Sequence, residues 1–293
     1  MKNPDLAKDK TVVARNFNSA ARKYDATAVL QKKIAENLLE RLEVMRATPW
    51  TILDLGSGTG WAARQLAKRY RKASVVQVDF ARQMLVQSRR ASGWFRSRQV
   101  FICAEAGRLP FSAGAFDMIF SNLMLQWCDD QQAVFTEARQ ILQPGGLFIF
   151  SSFGPDTLHE LRASWAAVDN GPHVHSFIDM HELGDALMQA GFQNPVMERE
   201  NFAMTYDDAP SLFRELNFLG AGNAHTGRRQ GLTGKGRLQM VIDAYEAYRY
   251  DNKIPATYEV IYGHAWRGPE TGAYDRDRRT YTVPIAAIKT RGQ

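Results

Sequence analysis

A chain of 293 residues, 45% hydrophobic and 23% charged, has the balance of a globular protein with a sizeable core. Its two cysteines, Cys103 and Cys128, lack pair spacing, which excludes a disulfide framework and a zinc finger, and no apolar run approaches the roughly 20 residues of a membrane helix. The net charge of +6, with no nucleic-acid motif to claim it, fits a solvated basic surface or an acidic protein partner.

Residues 11–45 predict helix. Val13, Phe17, Ala20, Ala21 and Tyr24 recur at steps of three and four, and Ile34, Leu38, Leu39 and Leu42 form a second stripe. The first 30 residues hold no signal-peptide core, so a cytoplasmic protein is expected. Pro49 ends the segment.

Short apolar runs then alternate with helical patterns: "TILDLG", helix 61–70, "SVVQVDF", helix 81–91, "QVFICA", "FDMIFSN", helix 130–141 and "GLFIFSSF". That alternation predicts an α/β fold, a mostly parallel sheet with helices on both faces. A helix over 180–190 stops at Gly191 and leads to a strand over 196–205. Residues 209–250 break the pattern with two helices joined by "GAGNAHTGRRQGLTGKG", and a last strand, "TYEVIYGHAW", follows Pro255. From Arg267 the composition turns polar, predicting a poorly packed tail.

The strongest local signal is "LDLGSGTGW". Gly56, Gly58 and Gly60 sit between a buried strand and a helix start, where bare backbone and free N–H groups can face a ligand. Asp79 closes the next strand, placed to grip a ribose diol. The spacing is G-x-G-x-G rather than the dinucleotide G-x-G-x-x-G, and Asp54 just ahead would oppose a pyrophosphate. An anion there suits a ligand with a positive group, as in the ammonium and sulfonium of S-adenosylmethionine.

"LDLGSGTG", Asp79, "AEAGRLPF", "FDMIFSNLMLQW" and "LQPGGLFIF" together resemble the motif set of class I S-adenosylmethionine-dependent methyltransferases. The resemblance implies a Rossmann-like seven-stranded sheet that binds the donor through Asp54, the three glycines, Asp79, Phe80, Glu105, Ala106 and Asn122. Within that set Glu105 would meet the adenine amino group, with Ala106 and Leu109 flanking the ring. The family usually has Asp where this chain has Glu105, which keeps the acceptor and changes its reach.

Outside the core, "VARNFNSAARKYDATAVLQKKIAENLLERL", "NLMLQWC", "HVHSFIDMHELGDALMQAGFQNPVM", "LFRELNFLGAGNAHTGR", "GLTGK" and "YEVIYGHAW" are similar to the malonyl-[acyl-carrier protein] O-methyltransferases of biotin synthesis, over residues 11–266. This implies an N-terminal helical lid (1–48), a methyltransferase domain (49–266) with an inserted helical cap over the acceptor (209–254), and a C-terminal tail (267–293). The partner implied is an acidic acyl carrier protein, met by a basic rim of Arg228, Arg229, Lys235 and Arg237. A monomer is expected, with no metal, nucleic acid or membrane.

The acceptor carboxylate is already ionised at neutral pH, so no general base is needed. Tyr24 of "ARKYDA" is expected over the donor, with a packed aromatic as the competing reading, and Asp25 is expected to orient the lid. Gln126 and Trp127 should wall the donor and gate the acceptor. Arg214 is the expected malonyl anchor because a guanidinium can hold a carboxylate bidentately, with a surface ion pair as the alternative. His173 and His175 are further candidates for lining the acceptor pocket. The rival functions are methylation of another acid or a quinone ring, and an assembly or hydroxylating factor on the same scaffold.

Overall fold

In a computed structural model the described residues are 7–45, 47–93, 99–229, 231, 233–268, 274–275 and 280–281. The strands are β1 (Thr51–Leu55), β2 (Ser74–Asp79), β3 (Gln99–Cys103), β4 (Phe116–Asn122), β5 (Leu142–Phe153), β6 (Phe192–Tyr206) and β7 (Ile254–Arg267), in the order β3-β2-β1-β4-β5-β7-β6. β1 pairs in parallel with β2 and with β4, and β7 runs antiparallel between β5 and β6. The expected mostly parallel, seven-stranded α/β sheet is therefore present.

Successive side chains of a strand point to opposite faces, and both faces are buried. Met118 and Phe120 of β4 and Leu147 and Ile149 of β5 enter one core, while Ile119, Phe148 and Phe150 enter the other. One face is covered by α4 (Trp61–Arg69), α7 (His159–Ala166), α9 (Ala209–Phe218) and α10 (Lys235–Tyr245). The other carries α6 (Gln131–Ile141) and α8 (Met180–Gln189). Asp130, Asp179 and Asp208 cap α6, α8 and α9 by accepting from the first free backbone N–H groups.

The N-terminal segment is not one helix. It divides into α1 (Lys10–Ala20), α2 (Tyr24–Thr27) and α3 (Val29–Arg41). The two apolar stripes serve different partners, so the chain turns between them. Ile34, Leu38 and Leu42 are fully buried in the same core as Ile52 and Phe120. Phe17 of α1 instead meets Phe80 and Trp127 near the sheet's carboxyl ends. Thus α3 is part of the sheet's packing, whereas the first two helices lie over the crevice.

The elements differ from expectation elsewhere too: β6 starts at Phe192 and β7 at Ile254, each earlier than expected. Helix α7 carries only a weak apolar stripe, with Glu160 and Ser164 among its buried residues, and was not predicted. Arg267 ends β7 opposite Phe192 and donates to the carbonyls of Gln140 and Leu142, so the sheet extends one residue into the presumed tail. The rest of the predicted tail lies largely outside the described residues.

Candidate functional site

In an open parallel sheet ligands bind at the carboxyl ends of the strands, where the strand order reverses. Here β1 has β2 on one side and β4 on the other. Asp54 lies near the end of β1 and the glycine turn follows it, Asp79 ends β2 and Asn122 ends β4, so the reversal brings them to one crevice.

The three glycines adopt positive φ, but for different needs. A Cβ on Gly60 would strike Ser88 Oγ and Gln77 Oε1, which are hydrogen-bonded to each other. Gly60 therefore permits close packing of α4 on β2 and α5 (Arg82–Ala91). Gly56 likewise leaves room for the Met124 side chain. A Cβ on Gly58 would meet nothing within 4 Å, because this residue faces the cavity. Its N–H donates to Asp79 Oδ2 at 2.8 Å, while Ala81 N–H donates to Asp79 Oδ1 at 2.8 Å.

The crevice has three connected compartments. The first holds Asp54, Ser57, Gly58 and Thr59 beneath Tyr24 and Asp25. Asp54 Oδ2 is buried without a partner. Burial, with Asp79 close by, pushes its carboxyl up to about 7, and burial pushes Asp79 up to about 6. Such crowded acids are relieved by a cation.

The second compartment is lined by Phe17, Tyr24, Asp79, Phe80, Met84 and Asn122. Burial, then Asp79 and Asp25, hold the Tyr24 phenol well above its ordinary pKa, so it remains a donor. Asn122 accepts from Ser151 Oγ at 2.8 Å and donates to the Gln31 carbonyl at 3.1 Å, coupling β5 to α3. The next residue, Leu123, has φ of 51°, a conformation that costs a β-carbon residue about 1–2 kcal/mol. Ser151 accepts its N–H through both backbone and hydroxyl oxygen.

The third compartment lies beyond Gln126 and Trp127, which border both it and the second. Its wall includes Phe153, Leu158, Leu161, Val174, Phe177, Leu216 and Tyr258, and no Lys or Arg is among its described lining residues. The cap closes it: Leu219 and Ala221 line it, and Gly220 packs on the backbone of Asn16 and Phe17.

Some expected site residues lie elsewhere. Arg214 is exposed and donates to Ser211 Oγ at 2.8 Å near the start of its own helix; Leu216 and Leu219 take the cavity-facing positions. The structure thus does not bring Arg214 to the third compartment. Glu105 is half-exposed and paired with Lys10 of the lid, and neither it nor Ala106 borders the three compartments. Ala106 and Leu109 are buried in the core under α6. Of the proposed rim, Arg229 and Lys235 are exposed, Arg228 donates to the His225 carbonyl at 3.3 Å, and Arg237 bridges to Asp169 at 3.1 Å. The same aspartate binds His173, whose ring stacks on Trp165.

Gln31 borders all three compartments and had not been foreseen. A signal existed. It stands three residues before Ile34 and seven before Leu38, so it is a polar residue on a buried stripe.

Residues 53–150 match the family described as "Methyltransferase domain". The chain is 46% identical over 264 residues to the malonyl-[acyl-carrier protein] O-methyltransferase of Gallionella capsiferriformans, covering 88% of this chain and 91% of that one. Among solved structures it resembles a putative methyltransferase from Bacillus halodurans, with a TM-score of 0.57, 15% identity, and coverage of 80% of this chain and 99% of that one. It also resembles a Haemonchus contortus phosphoethanolamine N-methyltransferase solved with S-adenosylhomocysteine, with a TM-score of 0.52, 19% identity, and coverage of 80% and 53%.

Proposed function

Because this chain belongs to the malonyl-[acyl-carrier protein] O-methyltransferases, we propose that it methylates the free carboxylate of a malonyl thioester on acyl carrier protein, the step that starts the pimeloyl chain of biotin. The observation that supports this reading best is the third compartment: a largely apolar chamber, with no Lys or Arg among its described lining residues, joined to an acid-lined donor crevice.

S-adenosylmethionine, when bound, supplies a methyl group on a sulfonium. The residues present fit it: Asp54 offers one unpartnered carboxylate oxygen to a cation, Gly58 leaves open space, and Asp79 faces the same cavity. In the proposed roles Asp54 meets the ammonium, Asp79 the ribose diol, and Phe80 the adenine side. Tyr24, held over the crevice by the lid, donates one uncharged hydrogen bond at its hydroxyl. Gln126 and Trp127 form the gate between donor and acceptor.

Methylation consumes charge, since an anion and a sulfonium become a neutral ester and a thioether. Phe17, Trp127, Phe153 and Leu219 keep water from that junction, which favours the less charged transition state over the separated ions. A guanidinium in the chamber would hold the ground-state carboxylate at least as firmly as the transition state, so its absence from the described lining suits the chemistry. The neutral ester can then enter an apolar elongation pocket that an ionised carboxylate would enter only at high cost.

Carrier docking on exposed Arg229 and Lys235 of the cap is the accompanying proposal, in a cytoplasmic enzyme. No helix among the described residues is long and apolar enough to cross a membrane. Incubating the protein with S-adenosylmethionine and malonyl-acyl carrier protein should give a carrier heavier by one methylene in intact-mass analysis. Donor binding with no mass change would support the assembly-factor alternative instead.

A further inference from the structure

The acceptor chamber is lined by a buried histidine whose Nδ1 makes no hydrogen bond within the protein. His175, on the loop between α7 and α8, is 7% exposed and stands edge-on to Trp127 at 5.5 Å between ring centroids. Arg162 of α7 fixes this loop, donating to the carbonyls of Thr157 and His175 at 3.2 Å each and of Pro155 at 2.9 Å.

The orientation of the ring follows from the cap. Ala224 N–H donates to His175 Nε2 at 3.3 Å, and Ala224 is itself fixed because its carbonyl accepts from Asp9 N–H at 2.8 Å. A nitrogen that accepts carries no proton, so the Ala224 bond favours the neutral tautomer protonated at Nδ1. Nδ1 is buried and has no protein partner. Burial, with Lys8 and His225 adding to it and the Gly222 backbone opposing, pushes the imidazole down to about 4, so the ring is neutral.

Most other side-chain donors of the chamber are committed; the exception, Gln31 Nε2, belongs to a residue that borders all three compartments rather than this chamber alone. Asn223 donates to the Pro172 carbonyl, Thr157 to the Glu259 carbonyl, and His173 is bound to Asp169. Gln31 and Gln126 each present an unpartnered Oε1, an acceptor that would repel a carboxylate. We propose that His175 binds the acceptor, its Nδ1–H holding the non-attacking oxygen of the malonyl carboxylate while the other oxygen faces the donor side of Trp127. The proposal rests on the malonyl reading above. It assigns carboxylate recognition to a neutral donor, in place of the guanidinium that the sequence suggested at Arg214.

Asparagine carries its amide N–H near the position of Nδ1, whereas glutamine reaches toward Nε2. With malonyl-acyl carrier protein as substrate, His175→Gln should raise KM about tenfold or more, the size of a lost hydrogen bond to an anion, with donor affinity unchanged. His175→Asn should stay within a few-fold of the parent. The reverse order would overturn the proposal, because a ring that only satisfies Ala224 N–H is rescued by Gln. A readout without substitution uses histidine labelled with ¹⁵N and the protein bound to S-adenosylhomocysteine. The Nδ1 resonance of His175 should move with malonyl-pantetheine and not with acetyl-pantetheine; equal responses would overturn the assignment. A parent enzyme that forms no methyl ester overturns both readings, whereas an active parent matched by His175→Gln overturns this one alone.

Discussion

The Thr59 hydroxyl donates to Asp25 Oδ1 at 2.5 Å, tying the short helix that carries Tyr24 to the glycine turn after β1. The two residues are far apart in sequence, and this bond sets the height of the lid above the donor crevice. Thr59→Val keeps the shape and removes the donor. It should weaken S-adenosylhomocysteine binding about 10- to 150-fold, the equivalent of one hydrogen bond to a carboxylate, with only a small change in melting temperature. Calorimetry showing unchanged affinity would mean that the lid docks without this bond.

Gly58 and Gly60 should respond oppositely to alanine. Gly60→Ala meets the buried Ser88–Gln77 pair and a φ of 74°, so a loss of about 3 kcal/mol in denaturant unfolding is expected. Gly58→Ala meets open space and costs only about 1 kcal/mol for its φ of 54°, but its methyl intrudes on the donor cavity. A folded protein that no longer binds donor is the expected result, and intact donor binding would remove Gly58 from the site.

Donor binding should depend on pH through Asp54 and Asp79. Both carboxyls are raised in the folded, ligand-free protein, to about 7 and about 6, above the unfolded value near 4. Between those values the folded state holds more protons than the unfolded one. Their contribution to ligand-free stability is therefore full below the unfolded pKa and is lost as pH rises through 6 and 7. A cationic donor prefers the ionised acids, so its affinity should climb over the same window, with protons released on binding. Calorimetry at pH 6.5 in buffers of different ionisation enthalpy measures that release. Asp54→Asn should abolish most of it, and an unchanged release would place the titration elsewhere.

Arg214→Ala should leave KM for malonyl-acyl carrier protein unchanged, since the side chain is exposed and directed to its own helix start. Reversing Arg229 and Lys235 to glutamate should raise that KM and blunt its salt dependence, while sparing malonyl-pantetheine. Equal losses on both substrates would place these residues in the fold rather than in carrier docking.

The sheet and the donor crevice were legible in the sequence because both depend on short-range patterns. Alternating strands and helices, the glycine turn and the acids at Asp54 and Asp79 each lie within a few residues of a strand end. The acceptor chamber was less legible because it is assembled from α3, the Trp127 turn, the His175 loop and the end of the cap, segments whose approach depends on tertiary packing. Arg214 shows the difficulty. Its helix was foreseen, but the face that helix presents was decided by the burial of Leu212 and its neighbours. Gly60 was read as a ligand contact when its role is packing, because the motif does not distinguish a turn facing a cavity from one facing a helix.

The place of β7 constrains how this protein can form. The last long strand enters between β5 and β6, both made earlier; it pairs with β6 from end to end and with β5 over Val260–Trp266. During synthesis, β5 must therefore wait with an unsatisfied edge while more than a hundred residues emerge, a delay inherent in long-range pairing. Such an edge is a template for other chains. Nascent or truncated forms ending before Ile254 are thus the species most exposed to aggregation, and holdase chaperones that shield the β5 edge should raise the yield of native protein.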